Sequence, residues 1–334
     1  MAEPTDPPAG DLGLTFASLG ILGPAAAPSL AQRAVELGYR SFWTAEANAS
    51  DAISVLGAVR AVAPTLDVGT GVMPVQLRSP ALVAMSAATL QQLAPRGGVL
   101  VGVGMSTPVV ASGWHGSDAT DRPLARMREY LTLLRMLLSG ESVNFDGDFW
   151  SVRRFQLGVR YTDDRRPKLV LAALNPGMLR LAGELADGVL LNYLPASHVA
   201  ASVAEVRKGG AATVYAYVHA AVGDPEQSLR SARRDLFGYV MADGYASMLV
   251  KAGFSEEVDR VRAAMAERDR DAAVAAISAR MAFEIDFVGD HEGVVSFVRS
   301  YREAGVSHPV LMPLPWGEDR RGVTEATMAA AAEA

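Results

Sequence analysis

The chain contains no cysteine. Disulfides, thiolate metal sites and cysteine nucleophiles are therefore excluded, and nothing signals an oxidising compartment. No apolar run reaches the ~18 residues that a membrane span needs. Clustered basic residues are missing too: 31 Lys and Arg against 37 Asp and Glu leave a net charge of −6, thinly spread. Neither nucleic acid nor a membrane is expected as a partner. The opening MAEPTDPPAG has no basic or apolar segment of a targeting peptide, so residues 1–10 are expected to be disordered and the protein cytoplasmic. HExxH, a metal-ligand cluster, a Walker loop, a nucleophile elbow and a helix-opening GxGxxG are all absent. Metal hydrolysis, nucleotide hydrolysis and acyl transfer by a serine triad lack support, and no metal is expected.

What is present is apolar and rhythmic. Half of the 334 residues are hydrophobic and 20% are charged, enough for a self-sufficient core. The stretch Leu66 to Gly104 reads as strand, loop, helix, strand. LDVGTGV and VLVGVG lack the alternation of a half-solvated strand, which favours a parallel sheet buried on both faces. Between them Ser79 is an N-cap, Pro80 opens the helix, and Pro95 stops it. Strand-like runs recur at Leu12–Ser18, Tyr39–Ala45, Leu66–Val72, Val99–Gly104, Lys168–Ala172, Gly188–Asn192, Thr213–His219 and His308–Leu314, with helical patterns between them. Eight strands in this rhythm predict an α/β fold, a (β/α)8 TIM barrel with an inserted hairpin and a helical segment.

One domain over 11–317 is expected, with insertions at about 105–122, 143–165 and 224–283, and a C-terminal tail over 318–334. Asp121 is expected to cap the fourth helix, Asn175 the fifth and Asp290 the last. Val143–Phe155 carries an Asp-Gly turn and reads as a hairpin. The stretch 224–280 shows only helical patterning. In such a barrel the site lies where the strands end. The residues to inspect are Ser18, Glu46, Asn48, Thr70 to Pro74, Met105 to Thr107, Leu174 to Met178, Asn192, His219 and Pro313 to Trp316.

The run GTGVMPVQLRSPALVAMSAATLQQLAP followed by VLVGVG, with the distal KLVLAALNPGMLRLAGELADGVLLN, resembles the bacterial luciferase-like family of flavin- and deazaflavin-dependent oxidoreductases, in element order from Leu12 to Leu314. The resemblance implies a non-proline cis peptide at Gly71–Val72 behind the cofactor ring. It also implies a cofactor phosphate at Asn175, Pro176, Gly177 and Met178, where a helix start offers free N–H groups. Ser18, Glu46, Thr70, Met105 and Asn192 complete the expected cofactor contacts. The chain departs from the family where Ala47 replaces a common His and Thr107 replaces the Glu of sugar-phosphate dehydrogenases. Proton abstraction from an alcohol and light emission are thereby disfavoured.

The resemblance thus implies a coenzyme F420-dependent oxidoreductase, reducing C=C or C=N bonds of a small molecule. The alternatives are an FMN-dependent monooxygenase fed by a partner reductase, and a flavin-binding barrel without turnover. A homodimer is expected. No catalytic residue is assigned. Glu46 is a candidate whose plain reading is an ion pair with a rim arginine, and His115 is one whose plain reading, which we prefer, is a loop histidine that caps or packs. His219 is the weaker candidate, and His198, His291 and His308 read as structural. Trp43 reads as barrel-wall packing, while Trp114, Trp150 and Trp316 are candidates to line a substrate cleft.

Overall fold

Strands such as VLVGVG bury every residue, because one face meets the barrel interior and the other meets helices. The computed structural model describes residues 11–94, 96–117 and 121–334; the expectations placed on residues 1–10 and on Pro95 lie outside these. We number the barrel strands β1 (Gly13–Thr15), β2 (Ser41–Thr44), β3 (Asp67–Thr70), β4 (Val99–Gly104), β5 (Lys168–Ala172), β6 (Gly188–Leu191), β7 (Thr213–Val222) and β8 (His308–Pro313). Each pairs in parallel with the next. β8 returns to β1 with Gly13 opposite Val310, which closes the expected (β/α)8 barrel.

The interior is filled from the strands themselves: Trp43, Leu100, Val170, Leu190, Tyr215, Tyr217, Val310 and Met312 form a cluster apart from the core under the helices. Trp43, fully buried, thus belongs to the filling. It fits because Gly69 has no Cβ, which would collide with the indole ring. The outer layer consists of α1 (Ala27–Glu36), α2 (Ala52–Val62), α3 (Pro80–Gln92), α4 (Pro123–Leu137), α5 (Pro176–Leu185), α6 (Ala196–Gly209), α7 (His291–Glu303) and α8 (Arg320–Ala331). Ser79 caps α3 by accepting from the Leu82 amide, and Asp290 caps α7 by accepting from the Gly293 amide.

Four features differ from expectation, each for a local reason. A further short strand, Asp286–Gly289, pairs with the end of β7; the helix Ala279–Ile285 runs into it with no Gly or Pro to mark the change. Asp121 does not cap α4. It binds Arg126 at 2.6 Å, while Arg122 stands at the cap in the left-handed region with φ 41°. Asn175 stands at the α5 cap, but its amide donates to Gly244 O at 2.8 Å and not to the helix. Residues 318–334 contain α8, which buries Thr324, Thr327 and Met328.

The hairpin Val143–Asp146 with Ser151–Phe155 is antiparallel, as expected. Glu129 of α4 holds its turn by accepting from the amides of Asp148, Phe149 and Trp150 at 2.7–2.9 Å. Trp150 stands edge-on to Tyr130, so it anchors the hairpin, and Trp114 is exposed. Among the described residues no helix is long and apolar enough to cross a membrane.

Three charge-assisted hydrogen bonds converge on Glu129, so Glu129→Ala is expected to cost about 2 kcal/mol in denaturant unfolding. Hydrogen exchange at the amides of 148–150 should accelerate in that variant.

Candidate active site

At the floor of the barrel mouth the chain crosses from β3 to the two-residue strand Met73–Pro74 through a cis peptide at Gly71–Val72, at the position implied by the resemblance. Its carbonyl oxygen and the flanking backbone groups are engaged. Gly71 N donates to Thr44 O at 2.7 Å and Glu46 N to Val72 O at 3.1 Å. The Tyr217 hydroxyl donates to Gly71 O at 3.0 Å and receives the Thr15 hydroxyl at 3.2 Å. Burial pushes the Tyr217 phenol well up, so it remains a donor at any physiological pH. A Cβ at residue 71 would collide with that hydroxyl. Gly71 and Val72 are partly open to the mouth.

A cavity of about 380 Å³ opens beside this floor. It is lined by the ends of β1 (Ala17, Ser18), β6 (Tyr193) and β8 (Met312, Leu314 to Gly317), by Arg320 of α8, and by Ser231, Asp235 and Tyr239 of the inserted helix Pro225–Met241. Of the four tryptophans, Trp316 lines it. Beneath lies a buried polar cluster. His219 Nδ1 is 2.9 Å from Asp286 Oδ1, and Nε2 is 2.9 Å from Asn192 Oδ1. Tyr193 donates to Asp235 Oδ2 at 2.8 Å, and one carboxyl oxygen each of Asp235 and Asp286 lie within 4.8 Å of one another and of a His219 ring nitrogen. Burial lowers His219 to about 4, and burial with the neighbouring Asp286 raises Asp235 to about 7. Burial also pushes Asp286 well up.

A second feature is the start of α5. With Asn175 turned to Gly244, no side chain caps this helix, so the Gly177 and Met178 amides face outward from a positive helix end. Lys251, from the insertion, donates to Asn175 Oδ1 at 3.1 Å and brings a cation to the same point. Two amides, a helix end and an ammonium fit a phosphate. Lys251 was missed from sequence because it lies 76 positions from Asn175, within a helical stretch that carries no local signal.

The remaining predicted residues scatter around these features. Ser18 binds Pro313 O at 2.6 Å on the cavity wall. Thr70 is buried and bonded to Gly102 through both its donor and acceptor roles. Met105 packs partly against the core. Glu46 grips Arg78 through both oxygens at 2.6–2.9 Å and also accepts from Ala52 N, which matches its plain reading as a rim ion pair. His115 Nε2 donates to Ala47 O at 2.5 Å. Glu46, His115 and Arg78 line a different depression, away from the 380 Å³ cavity. Asp235 and Asp286 were missed, because only tertiary packing brings a lone helical acid and a short strand to His219.

Comparison with known proteins bears on this site. The family described as luciferase-like monooxygenase matches residues 14–308. The chain is 27% identical over 277 residues to 5,10-methylenetetrahydromethanopterin reductase of Archaeoglobus fulgidus, covering 77% of this chain and 79% of that one. It is 36% identical over 148 residues to F420-dependent glucose-6-phosphate dehydrogenase of Beutenbergia cavernae, 43% of this chain and 42% of the relative. Among solved structures, coenzyme F420-dependent tetrahydromethanopterin reductase from Methanopyrus kandleri shares the fold with a TM-score of 0.79 at 19% identity, over 96% of each chain.

The raised Asp235 gives a signed pH prediction. The folded chain keeps a proton that the unfolded chain releases near pH 4, so this stabilisation is full below about pH 4 and is lost as pH rises to about 7. His219, lowered to about 4, acts oppositely: its contribution is present above about 6.5 and is lost as pH falls toward 4. Comparison with Asp235→Asn isolates the first term. The stability of the wild type minus that of the variant should fall by up to about 1.4 kcal/mol per pH unit between pH 4 and 7. Urea unfolding at several pH values measures it.

Proposed function

This chain belongs to the luciferase-like monooxygenase family, and from that premise we propose that it is a coenzyme F420-dependent oxidoreductase that reduces a C=C or C=N bond of a small organic molecule. The observation that carries the reading is the uncapped α5 start with Lys251 beside it, in the same barrel as a floor of backbone and small side chains. That combination suits a flat ring with a phosphate-bearing tail. The names of the relatives favour a deazaflavin as that ligand.

In this reading Gly71 and Val72 back the ring, and Gly177, Met178 and Lys251 take the phosphate. Pro176 contributes by fixing the first helical turn, and Asn175 by presenting Lys251. Ser18 and Asn192 border the ring through the wall and floor, while Thr70, Met105 and Glu46 support it indirectly by fixing the strand ends. Once bound, a reduced deazaflavin supplies a hydride, so the protein need only orient the substrate, exclude water and manage one proton. The mouth holds neither the His nor the Glu that the resemblance would place at Ala47 and Thr107. The proton must therefore come from another wall.

Leu82, Met85 and Leu93 stand 44%, 51% and 56% exposed along α3, a face suited to a second copy of this chain. The protein is expected to sediment as a dimer, and Met85→Glu as a monomer with unchanged circular dichroism. A wild type that sediments as a monomer would contradict this.

Fluorescence titration tests the cofactor. F420 should bind more tightly than FMN, and Lys251→Ala should weaken F420 about tenfold through loss of one charge-assisted contact. Clear preference for FMN with no F420 binding would overturn the reading in favour of a flavin-dependent one.

A further inference from the structure

We propose that Asp235 and Asp286 share a single proton and that Asp235, on the cavity wall, delivers it to the substrate atom adjacent to the carbon that receives the hydride. The delivery rests on the F420 reading; the shared proton does not. A carboxyl oxygen of Asp235 lies within 4.8 Å of one of Asp286 in a buried site, and two carboxyls held that close out of water keep a proton between them rather than both ionising. Asp286 Oδ2 is buried and no N–H or hydroxyl of the protein reaches it. A proton carried by the facing carboxyl supplies the missing donor. Neither acid has a Lys or Arg partner among the described residues. A doubly charged pair would stand unneutralised in a dry pocket, as in other close carboxyl pairs that hold one proton.

The surroundings fix the direction of delivery. Asp286 is fully buried and bonded to His219, so it cannot meet a ligand. Asp235 lines the cavity and is partly open. The titratable groups facing the pair are His219 on β7, Tyr193 after β6 and Tyr239 on the same helix as Asp235, with Tyr245 and Tyr301 behind them. Arg320 lines the same cavity. All the phenols are pushed upward by burial and stay protonated. Asp235 is thus the group of this cluster that can both release a proton near neutral pH and touch a substrate.

The step balances. A hydride from reduced deazaflavin forms the new C–H bond with its electron pair while the substrate π bond breaks toward the neighbouring atom. That atom takes the Asp235 proton, and the O–H electron pair stays on the carboxyl. The substrate is reduced by two electrons, the deazaflavin is oxidised by two, and solvent at the cavity mouth returns the proton.

Infrared spectra of the cofactor-free protein test the shared proton. At about pH 6 the wild type should show a protonated-carboxyl C=O band that titrates away near neutral pH; Asp235→Asn should lack this titrating band, and Asp286→Asn should move its titration to lower pH. A wild type without a band titrating near neutral pH, or a band that titrates unchanged in both variants, overturns the proposal. So does a stoichiometric divalent cation in the purified protein, since His219, Asp235 and Asp286 would then be its ligands. With F420 bound, cyclohexenone as probe acceptor should be reduced at pH 7 about 100-fold more slowly by Asp235→Asn, with F420 affinity unchanged. Equal rates would overturn the delivery. A wild type that fails to bind F420 overturns the cofactor reading and the delivery that rests on it, while the infrared band still decides the dyad.

Discussion

The hydroxyl of Tyr217 ties the structure together. It joins β1, β3 and β7 across the barrel axis, receiving from Thr15 and donating to the carbonyl of Gly71. A phenol fits in that position only because Gly71 lacks a side chain, and its burial is tolerated because its hydroxyl both receives and donates a hydrogen bond. Two residues along the same strand, on the same face, stands His219, so the register of β7 sets both the floor of the mouth and the polar cluster at its side. A slip of one residue would turn both rings out of the barrel.

The second organising element is the insertion between β7 and α7. It supplies Lys251 to the start of α5, Asp235 and Tyr239 to the cavity wall, and the strand that carries Asp286. The barrel alone would offer a floor of backbone and apolar side chains. In the proposed function, the cation that would hold an anion and the acid that would move a proton both arrive from the added helices. On the other side of the mouth, near the β2 end, Glu46 is paired with Arg78, and His115 from the loop after β4 donates to Ala47 O. On this account, the working groups sit on the β6–β7 side.

Much of the barrel was legible from the sequence, because buried parallel strands leave continuous apolar runs and Ser79–Pro80 or Asp290 mark helix starts chemically. The position of the cis peptide came from the resemblance, since Gly71–Val72 has no local signature. The strand Asp286–Gly289 was not legible, because helix and strand abut without punctuation. Asn175 shows a different limit. Its residue type names a cap, yet a carbonyl 69 positions away competes successfully for its amide, and that competition leaves the helix end free for an anion. Asp235 looks from sequence like any acid on an amphipathic helix. Its character comes from Asp286 and Tyr193, which only the folded chain brings near.

In the proposed function, one mouth grips a ring at Gly71–Val72 and a phosphate at the start of α5. A crystal structure of the protein soaked with F420 tests it most directly. The account predicts density for a flat ring against residues 71 and 72, with the phosphate within hydrogen-bond reach of the Gly177 and Met178 amides and of Lys251. A cofactor lying elsewhere on the barrel, or a phosphate held away from α5, would contradict it.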